Sequence, residues 1–114
     1  MITLWHNPRC SKSRQALALL QDRGVSPKVR LYLEDPPNRA EIEAVREAMG
    51  HPPVIEMIRP SEAVFKELGL SKSDPGDVLL EAMAHQPKLI ERPVAILGHK
   101  AVIGRPPEQV LTLL

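Results

Sequence analysis

The chain has one cysteine, no apolar run longer than a few residues and almost no excess of charge, and each scarcity excludes something. A single cysteine forbids an internal disulfide, so the fold must rest on its core. With 114 residues one domain is the expectation, since compact domains run to roughly 100–150 residues and bury about two thirds of the surface of the unfolded chain. Fifteen Lys and Arg against fourteen Asp and Glu leave a formal charge of +1, so no bulk field draws the protein to DNA, RNA or anionic lipid. The apolar runs fall far short of a membrane span, and the first residues lack the apolar core of a secretory signal. The expectation is a cytoplasmic protein with no nucleic-acid or membrane partner, for which a monomer suffices. A free thiol persists most easily in a reducing compartment, which agrees. No repeat of about 20–50 residues is present.

Proline is abundant, with twelve copies, and it punctuates the chain. Ile2-Thr3-Leu4-Trp5 reads as a short strand that ends at the turn-forming pair Asn7-Pro8. From Ser11 onward Ala16, Leu17, Leu19 and Leu20 give a helical apolar face, and Gly24 stands where a helix-terminating glycine belongs. Lys28 to Leu33 alternates polar with apolar residues and predicts a second strand. Asn38 can cap a helix running through Ile42, Val45, Arg46 and Met49 to Gly50. Shorter helical pieces are predicted at Pro53 to Ile58 and Ser61 to Leu68, then Asp74-Pro75 as cap and first position of a helix over Gly76 to His85. Pro93 to Leu97, the turn Gly98-His99 and Lys100 to Ile103 predict a β-hairpin. Pro106 to Leu114 predicts a last short helix. The order is β-α-β, a helical insert at about 38–86, then β-β-α, which describes an α/β fold with a mixed sheet.

The single thiol sits in "HNPRCSKSR", residues 6 to 14. A lone cysteine is ordinarily a small buried hydrophobe. Cys10, however, falls at the mouth of the first helix, with Ser11 and Ser13 near backbone donors that lack intrahelical partners. The helix dipole and the cations Arg9, Lys12 and Arg14 favour thiolate over thiol, so a depressed pKa and a nucleophilic role are expected. Cys10-Ser11-Lys12-Ser13 is a C-x-x-S spacing. A serine stands where a two-thiol motif carries its resolving cysteine, so any redox cycle must draw a thiol from outside.

"HNPRCSKSR", "LYLEDPP" at 31 to 37, "ERPVAI" at 91 to 96 and "IGRPPEQV" at 103 to 110 resemble, in order and spacing, the glutaredoxin-coupled arsenate reductase family, in its short, chromosomally encoded branch. The resemblance covers nearly the whole chain and implies a thioredoxin-like fold as a single domain over 1–114. It also implies a mechanism, in which a cysteine thiolate attacks arsenate, glutathione attacks the adduct, and glutaredoxin resolves it and releases arsenite. Cys10 matches the nucleophile. Arg59, by its place before Glu67-Leu68-Gly69-Leu70, and Arg92 and Arg105, in the two Arg-Pro motifs, match the arginines that hold the oxyanion. His6 matches a histidine close to the nucleophile, and it reads as a turn histidine, as a group that tunes Cys10 or as one that transfers a proton in catalysis. Pro93 matches the cis proline that faces the active cysteine in such folds. A guanidinium fork suits paired oxygens of a tetrahedral oxyanion better than an ammonium does.

His51, His85 and His99 share no ligand spacing with Cys10, so no metal is expected, and no bound cofactor, glutathione being a co-substrate. Two other readings use the same residues. One is a glutathione-dependent thiol reductase acting on a sulfur substrate. The other is a transcriptional regulator that binds RNA polymerase, against which Ser13 in place of a second cysteine and the intact Arg92 and Arg105 both speak.

Overall fold

In the computed structural model, which describes residues 1–114, four short strands form one sheet: β1 (Thr3–Trp5), β2 (Lys28–Arg30), β3 (Val94–Leu97) and β4 (Lys100–Ile103). Their order is β2-β1-β3-β4. β1 runs parallel to β2 and antiparallel to β3, with Leu4 opposite Val29 on one side and Ala95 on the other. β3 and β4 are the predicted hairpin, turning at Gly98, whose φ of +59° suits a residue without a side chain.

The chain falls into two compact units, residues 1–35 with 92–114, and residues 36–91. In the first, α1 (Ser11–Asp22) packs with a 3₁₀ segment at Pro107–Leu113. Ser13, Ala16 and Leu20 are the buried residues of α1, and their i, i+3, i+7 spacing places them on one stripe. Ala16 and Leu20 join Ile2, Leu4, Ala95, Val110 and Leu113 in a single apolar core. Truncating Leu4 or Leu20, both fully buried, would cost about 2–5 kcal/mol.

The second unit is helical. α2 (Arg39–Ala48) opens with a reciprocal capping box, Asn38 accepting from the Glu41 N–H at 2.8 Å while Glu41 accepts from the Asn38 N–H at 3.1 Å. α3 spans Ala63–Glu67 and α4 spans Gly76–His85. α2 packs on α4 through the Arg39 guanidinium, which bonds Asp77, meets Glu81 at 3.5 Å and also holds Glu43 at 3.0 Å.

Four expectations change. β2 stops at Arg30, although the alternation continues to Leu33, because the Leu31 carbonyl takes the Glu34 and Asp35 N–H groups into a turn, both at 2.9 Å. Asp74 does not cap α4. Its carboxylate turns back to the Ser71 N–H at 2.9 Å, and Pro75 is the capping position. The Pro53 to Ile58 piece is a 3₁₀ turn at Val54–Met57. The last segment is also 3₁₀, with Gln109 N–H bonded to the Pro106 carbonyl at 3.0 Å. Two successive prolines supply no N–H, and a short run tolerates the tighter i to i+3 pattern.

Candidate active site

β1 delivers the chain to a loop whose polar groups are nearly all engaged. The His6 N–H bonds the Arg30 carbonyl at 2.9 Å, tying the loop to the end of β2. Asn7 organises the turn into α1. Its side-chain oxygen accepts from the Arg9 N–H at 3.0 Å, its carbonyl accepts from the Cys10 N–H at 3.0 Å, and its own N–H donates to Ser13 Oγ at 3.0 Å. Arg14 Nη1 closes the loop onto the Pro8 carbonyl at 2.8 Å. The sequence marks Asn7 only as a turn former. Its role as an Asx-turn residue is carried by the Asn-Pro-x-Cys spacing itself.

Cys10 is the capping residue of α1, extended at φ −95° and ψ 122°, and half-buried. Its sulfur closes no complete capping hydrogen bond, yet its pKa lies below the ordinary cysteine value. Burial pushes the pKa up, and the Ser13 N–H, the Arg92 guanidinium and the Lys12 N–H together outweigh it. The shift has the expected direction, but its sources differ from those expected. Lys12 acts through its backbone, Arg14 is engaged with Pro8, and the side-chain cation is Arg92, which is buried.

Arg105 completes the arrangement. Its Nη2 points at Cys10 Sγ across 3.7 Å, and its Nε donates to the Arg92 carbonyl at 3.0 Å. Both Arg-Pro bonds, Arg92–Pro93 and Arg105–Pro106, are cis. They lie side by side at one end of the hairpin, where the Gly104 N–H bonds the Pro93 carbonyl at 2.8 Å. Gly104 has no room for a side chain. A Cβ there would meet Pro93 Cγ at 2.8 Å and Val110 Cγ1 at 3.0 Å. Nothing in its sequence context beyond adjacency to Arg105-Pro106 signals this.

His6 Nδ1 lies 2.6 Å from Ser13 Oγ, and both residues are buried. Since that oxygen already accepts from Asn7, its hydroxyl proton is available to Nδ1, an arrangement satisfied by a neutral ring. Burial and the charge of Arg14 lower the His6 pKa, in agreement. The structure thus brings His6, Cys10, Lys12, Ser13, Arg14, Arg92, Pro93 and Arg105 into one unit, with Ser11 exposed at the first helical position. Arg59 belongs to the helical unit, where it meets Glu62 at 3.6 Å and Glu91 at 3.5 Å. No group of three or more His, Cys, Asp and Glu side chains is placed to hold a metal ion, and no helix is long and apolar enough to cross a membrane.

A thiol at a helix mouth faced by two arginines can attack an electrophile that carries negative charge. Known proteins resemble this chain in sequence and fold. The ArsC family model matches residues 5–113. The chain is 45% identical to the Escherichia coli protein YfgD over 99% of this chain and 96% of that one. It is 41% identical to an arsenate reductase of Neisseria meningitidis, covering 99% and 97% of the two chains. The solved structure of an arsenate reductase from Vibrio cholerae superposes with a TM-score of 0.93 at 45% identity, over 99% of this chain and 97% of that one. With sequence and mixed-sheet fold in agreement over almost its full length, this chain belongs to the ArsC family and has its thioredoxin-like fold.

Proposed function

We propose that this protein reduces arsenate to arsenite, with Cys10 as nucleophile, glutathione as co-substrate and glutaredoxin as the partner that completes the cycle. The observation that carries the reading is the Cys10 sulfur of lowered pKa faced by the Arg105 guanidinium at 3.7 Å. Kinship to proteins named arsenate reductase supports the substrate.

The Cys10 thiolate displaces one arsenate oxygen, which leaves as water, and arsenic stays at +5. Glutathione condenses with this adduct and a second oxygen leaves as water. The glutaredoxin thiol then attacks the glutathione sulfur, and the electron pair of the arsenic–sulfur bond stays on arsenic, which falls to +3. Hydrolysis of the Cys10–arsenic bond consumes one water and releases arsenite. In sum, arsenate and two thiols give arsenite, one mixed disulfide and one water.

Arg92 and Arg105 stabilise the thiolate before attack and the arsenic-bound oxygens after it. Arg59 joins the proposal as a third oxyanion ligand, from the family resemblance. His6 acts through Ser13, as a neutral acceptor that holds the loop. Ser13 leaves Cys10 without an internal partner thiol, which is why the reductant comes from outside. The cytoplasm, where glutathione and glutaredoxin are reduced, is the compartment this chemistry needs.

Arsenite production with arsenate, glutathione and glutaredoxin, each omitted in turn, tests the proposal. Loss of product on each omission supports it. Steady reduction of a glutathione mixed disulfide with no response to arsenate would move the protein to the sulfur-substrate reading.

A further inference from the structure

The segment "LYLEDPP" matches the family without contributing to the thiolate site, and the structure places its first half beside the cysteine loop. A crevice of about 230 Å³ lies where β1 and β2 end, lined on one side by His6, Asn7, Pro8 and Arg9 and on the other by Leu31, Leu33 and Glu34. The carboxyl ends of adjacent parallel strands are where open α/β sheets bind ligands. Both walls are held in place. The His6 N–H to Arg30 carbonyl bond links them, the Leu31 to Asp35 turn closes on itself, and Arg30 Nε donates to the Asp35 carbonyl at 3.0 Å.

We propose that this crevice is a subsite for the charged end residue of the small thiol peptide that reacts at Cys10, a proposal that rests on the thiol-dependent reading above. Arg9 and Glu34, both exposed, line it with charges of opposite sign, which suits a residue carrying a free carboxylate and a free ammonium. Between them Leu33, 38% exposed, and half-buried Leu31 offer an apolar floor for a methylene stem. The volume is ample for one residue. Consecutive Cα atoms are about 3.8 Å apart and one extended residue spans roughly 3.3–3.6 Å. Arg9, which lines the crevice, directly precedes Cys10 in the chain, so the crevice adjoins the loop that carries the thiol.

The test uses ¹⁵N-labelled Cys10→Ser protein titrated with S-methylglutathione, which has both end charges and no free thiol. Saturable amide shifts at Leu31, Leu33 and Glu34 are expected, weakened several-fold by Glu34→Gln and by Leu33→Ala. In turnover those two variants should raise KM for glutathione several-fold and leave KM for arsenate at the wild-type value. Shifts that avoid residues 31–34, or a KM for glutathione that neither variant moves, would overturn the proposal. Absence of glutathione-dependent turnover in the wild type would instead refute the function proposed above, and the titration would still decide whether the crevice binds.

Discussion

Arg105 and Cys10 are joined by a guanidinium that serves two partners: Nη2 faces the sulfur at 3.7 Å while Nε holds the Arg92 carbonyl at 3.0 Å. The second bond fixes the fork in the plane from which the first is made, and it couples the positions of the two arginines. Lysine at this place would keep the charge and lose the fork. Arg105→Lys is expected to lower kcat/KM for arsenate roughly a hundredfold, in line with removal of one pre-organised donor to a developing oxyanion. Steady-state kinetics on the two proteins would check it.

Cys10 should alkylate as a thiolate at lower pH than an ordinary cysteine. Its pKa is depressed on balance, so the rate with iodoacetamide should rise through a midpoint below the usual free-cysteine value and level off above it. Arg92→Ala removes a favourable charge and hydrogen bond while leaving burial to act, so the midpoint must move up. A stopped reaction series from about pH 5 to 10 on both proteins reads the two midpoints.

The His6 ring should make stability depend on pH with a definite sign. Burial, then the charge of Arg14, lowers its pKa in the folded protein. The unfolded chain therefore takes up the proton first as pH falls, and the contribution is present above the ordinary histidine pKa and lost as pH drops through the folded value. His6→Asn keeps an acceptor near Nδ1 without the titration. Urea midpoints measured from about pH 7.5 down to 4.5 should fall further in the wild type than in this variant.

Ser13→Ala leaves the Asn7 N–H and His6 Nδ1 without the hydroxyl they share, inside a buried cluster. A buried donor left unsatisfied costs about 1–3 kcal/mol. The loss should appear as a lower urea midpoint at unchanged slope, together with slower arsenate turnover because the loop that presents Cys10 loosens.

Gly104→Ala should damage the site from behind. The added methyl collides with Pro93 and Val110, and relief by movement displaces the residues bonded to both arginine motifs. Overpacking of this kind costs about 1–3 kcal/mol. A raised KM for arsenate accompanying a lowered Tm is the expected pair of results.

Much of this arrangement is legible in local pattern. The hairpin, α4 and the placement of Cys10 at the mouth of α1 follow from apolar periodicity and from turn residues, because these are short-range effects. Alternation overextends β2 to Leu33 because it reports which face a side chain takes, whereas the strand ends where the Leu31 carbonyl finds donors in a turn. Local charge misplaces the source of the low Cys10 pKa for a related reason. Arg9, Lys12 and Arg14 are near in sequence, but the cation that acts is Arg92, brought there by the pairing of β3 with β1. Burial of Ser13 is readable in principle, since it extends the Ala16 and Leu20 stripe by three residues toward the N-terminus. The steric closure around Gly104 is not, because it depends on Pro93 and Val110 meeting from two separate elements.

Reduction of arsenate by Cys10 at the expense of glutathione is read as NADPH oxidation coupled through glutathione reductase, glutathione and glutaredoxin, with and without arsenate, for the wild type and Cys10→Ser. Arsenate-dependent oxidation should be saturable in the wild type and absent in Cys10→Ser. Oxidation that is the same with and without arsenate, or that survives Cys10→Ser, would contradict it.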